Sequence, residues 1–234
     1  KGATEMANLA LDEKGKHELA ERWAEKGLFD QALKVTESMK DALERARALA
    51  KIAKAMAEAG LRKRALRVFE NALKATDEIC ERWLRAIGLR FVAEAMAELG
   101  LFERAVKVAE RIGTEGIEGA RHESEAEEAA GELMLALGAI IKRAAEAGLF
   151  EEAIQLAEDS EVAGMRARWL AEIAGVMVQL GQKERAQKVL NQACEAVKEA
   201  KHPEEMVWGL VGIAKALAKM GQKKQAQKTF EQAL

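Results

Sequence analysis

A Gly followed five residues later by Ala occurs six times along this chain, and the spacing of these pairs constrains the fold more than any other feature. The pairs are Gly27/Ala32, Gly60/Ala65, Gly100/Ala105, Gly148/Ala153, Gly181/Ala186 and Gly221/Ala226. Successive glycines lie 33, 40, 48, 33 and 40 residues apart, and the first three map onto the last three by a shift of 121. Recurrence on this scale is the mark of stacked repeats, in which each unit buries its apolar face against its neighbours.

The residues around each pair say what the unit is. Upstream of Gly100, Leu89, Val92, Ala93, Met96 and Leu99 recur at helical spacing and form one apolar stripe. Gly100 can take the positive φ that stops a helix. Leu101 and Phe102 cross over, and Ala105, Val108, Ala109 and Ile112 form the stripe of a second helix. Helices joined by so short a turn cross closely, which favours a small side chain at the fifth position. The spacing therefore predicts six helix hairpins, with helices at 5–26 and 28–40, 42–59 and 61–76, 78–99 and 101–112, 123–147 and 149–159, 163–180 and 182–200, and 203–220 and 222–234. Gly15 is expected to break or bend the first helix, and Pro203 suits a first turn.

Residues 113–124, GTEGIEGARHES, depart from this rhythm. The expectation is a glycine-rich seam between three hairpins in 1–112 and three in 125–234, within one continuous solenoid. Aligned without gaps, 27–113 and 148–234 agree at about a third of positions, which reads as an internal duplication.

Composition fits helical repeats and narrows function. Ala, Glu, Lys, Leu and Arg dominate, with one Pro and no Tyr among 234 residues. A net charge of −2 carries no global footprint for nucleic acid or membrane. No apolar run reaches the length of a membrane span. Cys80 and Cys194 form no CxxC, so a reducing, cytoplasmic setting is expected, with both thiols packed at helix interfaces. The chain opens on Lys1, without Met or a signal peptide, which suggests a fragment or processed chain. It closes in the stripe Ala226, Phe230 and Ala233 without a polar capping helix, an arrangement that suggests truncation or end-to-end self-association.

Catalytic patterns are missing. Gly15-Lys16 lacks the rest of a Walker loop, and no G-x-S-x-G or Rossmann fingerprint occurs. His17, His122 and His202 lie in three different parts of the chain, and His17 with Glu21 gives two ligands, too few for a metal site. The carboxylates alternate with Lys and Arg as on solvated helix faces. The reading is a non-enzyme without cofactor or metal.

On these residues the chain resembles the tetratricopeptide repeat family, whose unit is a short-turn helix pair. With each anchor Gly at the family's turn, the small residue of the first helix falls on Ala20, Ala53, Ala93, Ile141, Ala174 and Ala214. The turn aromatic falls on Phe29, Phe102 and Phe150, while Arg62, Lys183 and Lys223 depart; the family's tyrosines and closing Pro are largely gone. The resemblance implies a right-handed α-α superhelix whose first helices line a concave groove for a protein or peptide segment. It places Arg47, Lys54 and Arg90 in the first half of that groove, and Lys142, Arg168, Gly175, Val178, Trp208, Val211 and Lys215 in the second. The chaperone-tail clamp of the family needs a Lys and Asn pair on successive first helices; Asn8, Asn71 and Asn191 all lie off that face.

The two halves differ in kind. The first carries mixed charge, whereas the second sets Gly138, Gly175 and Gly212 inside helical runs, at a cost of about 0.5–1 kcal/mol each against Ala, beside Trp208 and several cations. The glycines serve either tight helix packing or close approach of a ligand, and Trp208 is either an interhelix core residue or an anchor for an acidic peptide. Two other readings stand beside the peptide-binding scaffold. One is a structural or engineered scaffold without a natural ligand, suggested by the residue bias but opposed by the divergence of the halves. The other is an RNA-binding repeat with Arg47, Lys54, Arg90, Lys142 and Arg168 on phosphates, opposed by the glutamates interleaved on the same face.

Overall fold

The computed structural model describes residues 11–234, and among these every regular element is helical. Twelve α-helices follow in order: α1 (Glu13–Glu25), α2 (Phe29–Glu37), α3 (Ala42–Glu58), α4 (Arg62–Asp77), α5 (Arg82–Glu98), α6 (Phe102–Arg111), α7 (Glu123–Glu146), α8 (Phe150–Glu158), α9 (Ala163–Gln179), α10 (Lys183–Lys198), α11 (Pro203–Lys219) and α12 (Lys223–Glu231). The chain divides into two compact units, Lys1–Ala136 and Leu137–Leu234, with the division inside α7. None of the described helices is long and apolar enough to cross a membrane.

One turn recurs at every anchor. Gly27, Gly60, Gly100, Gly148, Gly181 and Gly221 have φ between 73° and 83°, and they alone take positive φ among the described residues. At each, the N–H of the following residue donates to the carbonyl five positions back: Leu28 to Trp23, Leu61 to Met56, Leu101 to Met96, Leu149 to Ala144, Gln182 to Met177 and Gln222 to Leu217. This is a Schellman closure, which satisfies carbonyls that a helix end would orphan. The same Leu or Gln then starts the second helix through its own carbonyl, as in Ala32 N–H to Leu28. The Ala five residues after each Gly is buried in all six hairpins.

First helices start by other means. Asp41 accepts from the N–H groups of Leu43 and Glu44, and Pro203 occupies the first turn of α11. Asp12 caps α1 by accepting from Gly15 N–H at 2.7 Å, so Gly15 sits in an intact first turn and neither breaks nor bends the helix. The expected start at residue 5 lies outside the described residues, and 11 and 12 precede the helix. The Glu13 carboxylate joins this end to the next hairpin. It accepts from Lys16 Nζ and from the backbone N–H groups of Lys40 and Asp41, and the Lys16 bond leads the causes that lower its pKa.

In the first unit, each hairpin packs its two helices together, and first helices also pack on first helices, α1 on α3 and α3 on α5. In the second, α9 packs with α8, α10 and α11, and α12 closes on α11. In α3, α5 and α9 an arginine ties the first helix to the loop before it. The guanidinium groups of Arg45, Arg85 and Arg166 donate to the carbonyls of Met39, Ile79 and Ser160. This is why α5 begins at Arg82 rather than at the expected 78: Ile79 is buried in the connection and its carbonyl is held by Arg85.

The glycine-rich segment also departs from expectation. Ile112–Ile117 continues out of α6 as a π-helical turn, a wider winding, and Ile112 is fully buried. A Cβ on Gly116 would lie 2.7 Å from Ala129 Cβ, so the glycine admits α7 at close range. Only 118–122 is irregular. Cys194 is half-buried, with burial and then Glu195 raising its thiol pKa, whereas Cys80 is exposed rather than packed.

The turn geometry sets opposite expectations for two glycines. Gly60→Ala, at φ 83°, should cost about 1–2 kcal/mol of stability. Gly131→Ala, inside α7 with open space where a Cβ would stand, should raise stability by up to about 1 kcal/mol. Urea unfolding of both variants checks the pair of signs.

Candidate functional site

The site follows from how closely α9 and α11 approach. The two run in the same direction, since Gly164 at the start of α9 meets Glu205 at the start of α11, and Gly175 near its end meets Lys219. A Cβ on Gly164 would collide with the Glu205 carbonyl, and one on Gly212 would lie 3.0 Å from Arg168 Cα. A Cβ on Gly209 would lie 2.6 Å from Val197 and 3.1 Å from Ala167. These small residues bring the backbones together, and the side chains flanking the seam rise on both sides of a shallow trough.

The trough is a hollow of about 480 Å³, lined on α9 by Arg168, Ala171, Glu172 and Gly175 and on α11 by residues from Val207 to Lys219. Trp208 stands at its N-terminal end and is 37% exposed. Val211, Lys215 and Lys219 follow along the same stripe of α11. The aliphatic stem and ammonium of Lys219 lie over Gly175, 3.1 Å from where a Cβ would stand. Among the described residues, Arg168, Lys215, Lys219 and Glu172 make no ion pair and no side-chain hydrogen bond. Three exposed cations and one half-buried carboxylate therefore share a hollow with an indole at its end.

The first unit contains a smaller hollow of about 300 Å³, lined by His17, Glu21, Arg47, Ala50, Lys51, Lys54, Phe91, Glu94, Ala95 and Glu98. Its cations are engaged. Arg47 pairs with Glu44 at 2.9 Å, Lys51 with Glu21 at 3.1 Å, and Lys54 with Glu98. Arg90 pairs with Glu94 and Glu132; burial opposes its charge, but the bonds to the two carboxylates outweigh that and raise its pKa. The Phe91 ring is held between Arg47 and Arg90, whose guanidinium carbons stand 4.3 and 4.2 Å from its centroid.

The 121-residue offset shows why the hollows differ. Glu94 and Glu98 correspond to Lys215 and Lys219, Lys54 to Gly175, Glu44 to Met165, and Phe91 to Gly212. Around the hollow, Glu94 and Glu98 are thus replaced by lysine and Glu44 by methionine, so these carboxylates have no acidic counterpart in the second unit. The ring between the arginines is replaced by a glycine.

Five of the seven residues expected in the second groove half come together here: Arg168, Gly175, Trp208, Val211 and Lys215. Val178 is half-buried outside the hollow, and Lys142 is exposed on α7 and takes no part in its lining. Gly138 makes room for Trp169, whose Nε1 would lie 3.0 Å from a Cβ there, and Trp169 is buried as a packing residue. Trp83 is 39% exposed on α5. Glu172 and Val207 escaped the sequence reading, which followed a single i, i+3, i+7 stripe. Their signal is the i+4 step from Arg168 and the residue adjoining Trp208, both on the wider face a trough presents.

No known family matches the chain's sequence, and no curated protein matches it. Among solved structures, the crystal structure of Ton1535 from Thermococcus onnurineus NA1 is similar at 17% identity and a TM-score of 0.43, covering 89% of this chain and 71% of that one.

The close seam makes Gly164 sensitive. Gly164→Ala should push α11 away and destabilise the protein by about 1–3 kcal/mol, despite the better helix propensity of Ala. An unchanged denaturation midpoint would contradict the close approach.

Proposed function

We propose that the hairpins are tetratricopeptide-like repeats forming a duplicated right-handed superhelix, and that the protein is an interaction scaffold binding an acidic peptide segment of a partner protein across α9 and α11. The recurring left-handed glycine turn and the packing of first helix on first helix within each unit support the repeat reading. Ion pairs recurring at the same offset support the duplication: Arg45–Glu78 with Arg166–Glu199, and Arg64–Asp30 with Arg185–Glu151.

One observation carries the binding reading: three cations without partners line the second-unit hollow that has an exposed indole at one end, while Arg47, Lys51 and Lys54 of the first-unit hollow are paired. Charge left open beside a large aromatic costs the free protein little and becomes favourable when a carboxylate and an apolar side chain arrive together. The same contrast weakens the RNA reading, because Arg47, Lys54 and Arg90 are committed to internal carboxylates.

Binding to a peptide array, followed by Trp208→Ala against each hit, tests this. Loss of a large interface aromatic should weaken acidic hits by about tenfold or more, and their affinity should fall as salt rises. Unchanged affinity for every hit would remove this surface as the site.

A further inference from the structure

The order of groups along the trough has a consequence for which acidic segment fits. Resting on the binding reading above, we infer that the trough selects a segment with an apolar side chain followed, in either chain direction, by carboxylates about two and about five residues away.

The register comes from helix geometry. Along the trough, Gly212 lies against the Arg168 backbone and Gly175 under the Lys219 side chain, the same offset at both places. With Trp208 as origin, Gly212 with Arg168, Lys215, and Lys219 stand about 6, 10 and 16 Å along the axis. An extended peptide advances about 3.3 Å per residue. An apolar side chain on Trp208 and Val211 thus puts the second residue along beside Arg168 and the fifth beside Lys219. The intermediate level differs: Glu172, four residues after Arg168, shares the lining with Lys215, and its carboxylate disfavours a third acid at that place. The floor there is built from Ala171, Gly175, Gly212 and Ala216, which leaves room for backbone but little for a bulky side chain. The trough therefore reads as a hydrophobic anchor and two separated anion positions, rather than as a diffuse basic patch.

The test is a double-mutant cycle on synthetic peptides measured by fluorescence anisotropy. The parent peptide carries one Leu with Glu two and five residues on, in an Ala/Ser background; companions carry Gln for either Glu, and a scrambled peptide places both Glu next to the Leu. Lys219→Ala should weaken the parent about three- to fivefold and leave the peptide lacking the distal Glu unchanged, while Arg168→Ala should do the same for the proximal Glu. The scrambled peptide should bind more weakly than the parent. Gly175→Ala, which crowds Lys219, should act only through the distal Glu. Equal binding of parent and scrambled peptides, or losses that ignore which Glu is present, would overturn the register and leave the acidic-peptide reading standing. Failure of all of them to bind the wild-type protein, with no acidic hit on the array, would overturn both.

Discussion

Every hairpin depends on one backbone constraint, a residue at φ near +80° that lets a helix close its own carbonyls and reverse within two residues. An L side chain there is strained by about 1–2 kcal/mol, so the position selects glycine. Once the turn is set, the entry of the second helix is set with it, and the residue five positions on is a buried Ala in all six hairpins. The core that results is rich in alanine, with larger residues such as Ile52, Phe69, Leu89, Leu170 and Met177 spaced among the small ones. Close helix packing, rather than bulk, holds such a core together, and every methyl group in it counts.

The same closeness produces the candidate site. Where α9 and α11 approach through Gly164, Gly209 and Gly212, little is left to fill the seam on the solvent side. In the first unit the equivalent level is filled by Phe91 between two arginines and by glutamates that neutralise the lysines. Substituting glycine for the ring and lysine for the carboxylates opens the space and frees the charge together. Two kinds of replacement at matched positions thus turn a surface whose charges are paired internally into one whose charges stand open, which is the physical basis of the proposed function.

Much of this was legible in the chain. The glycine spacing contains the hairpins, because positive φ, short turn and small neighbour are all local demands. The convergence of Arg168, Gly175, Trp208, Val211 and Lys215 was expected from the family resemblance, which set one helix face toward a groove. Other parts depend on contacts distant in sequence. Nothing local in 113–124 announces a π-helical turn, which exists because Gly116 packs on Ala129. The inward role of Gly138 depends on Trp169, one hairpin away. The pairing that separates the two hollows was hidden as well: Arg47, Lys54 and Arg90 look as available in sequence as Arg168 does, and only their neighbours Glu44, Glu98 and Glu132 show them to be engaged.

The central claim is that Trp208 is exposed at the end of a trough with an excess of unpaired positive charge. Collisional quenching by ions of opposite sign reads this directly. Comparison of the wild type with Trp208→Phe isolates the emission of that indole from those of Trp23, Trp83 and Trp169. The account predicts that the Trp208 component is quenched strongly by iodide and weakly by caesium at equal ionic strength, and that Arg168→Ala combined with Lys215→Ala removes the difference. Equal quenching by the two ions, or stronger quenching by caesium, would contradict it.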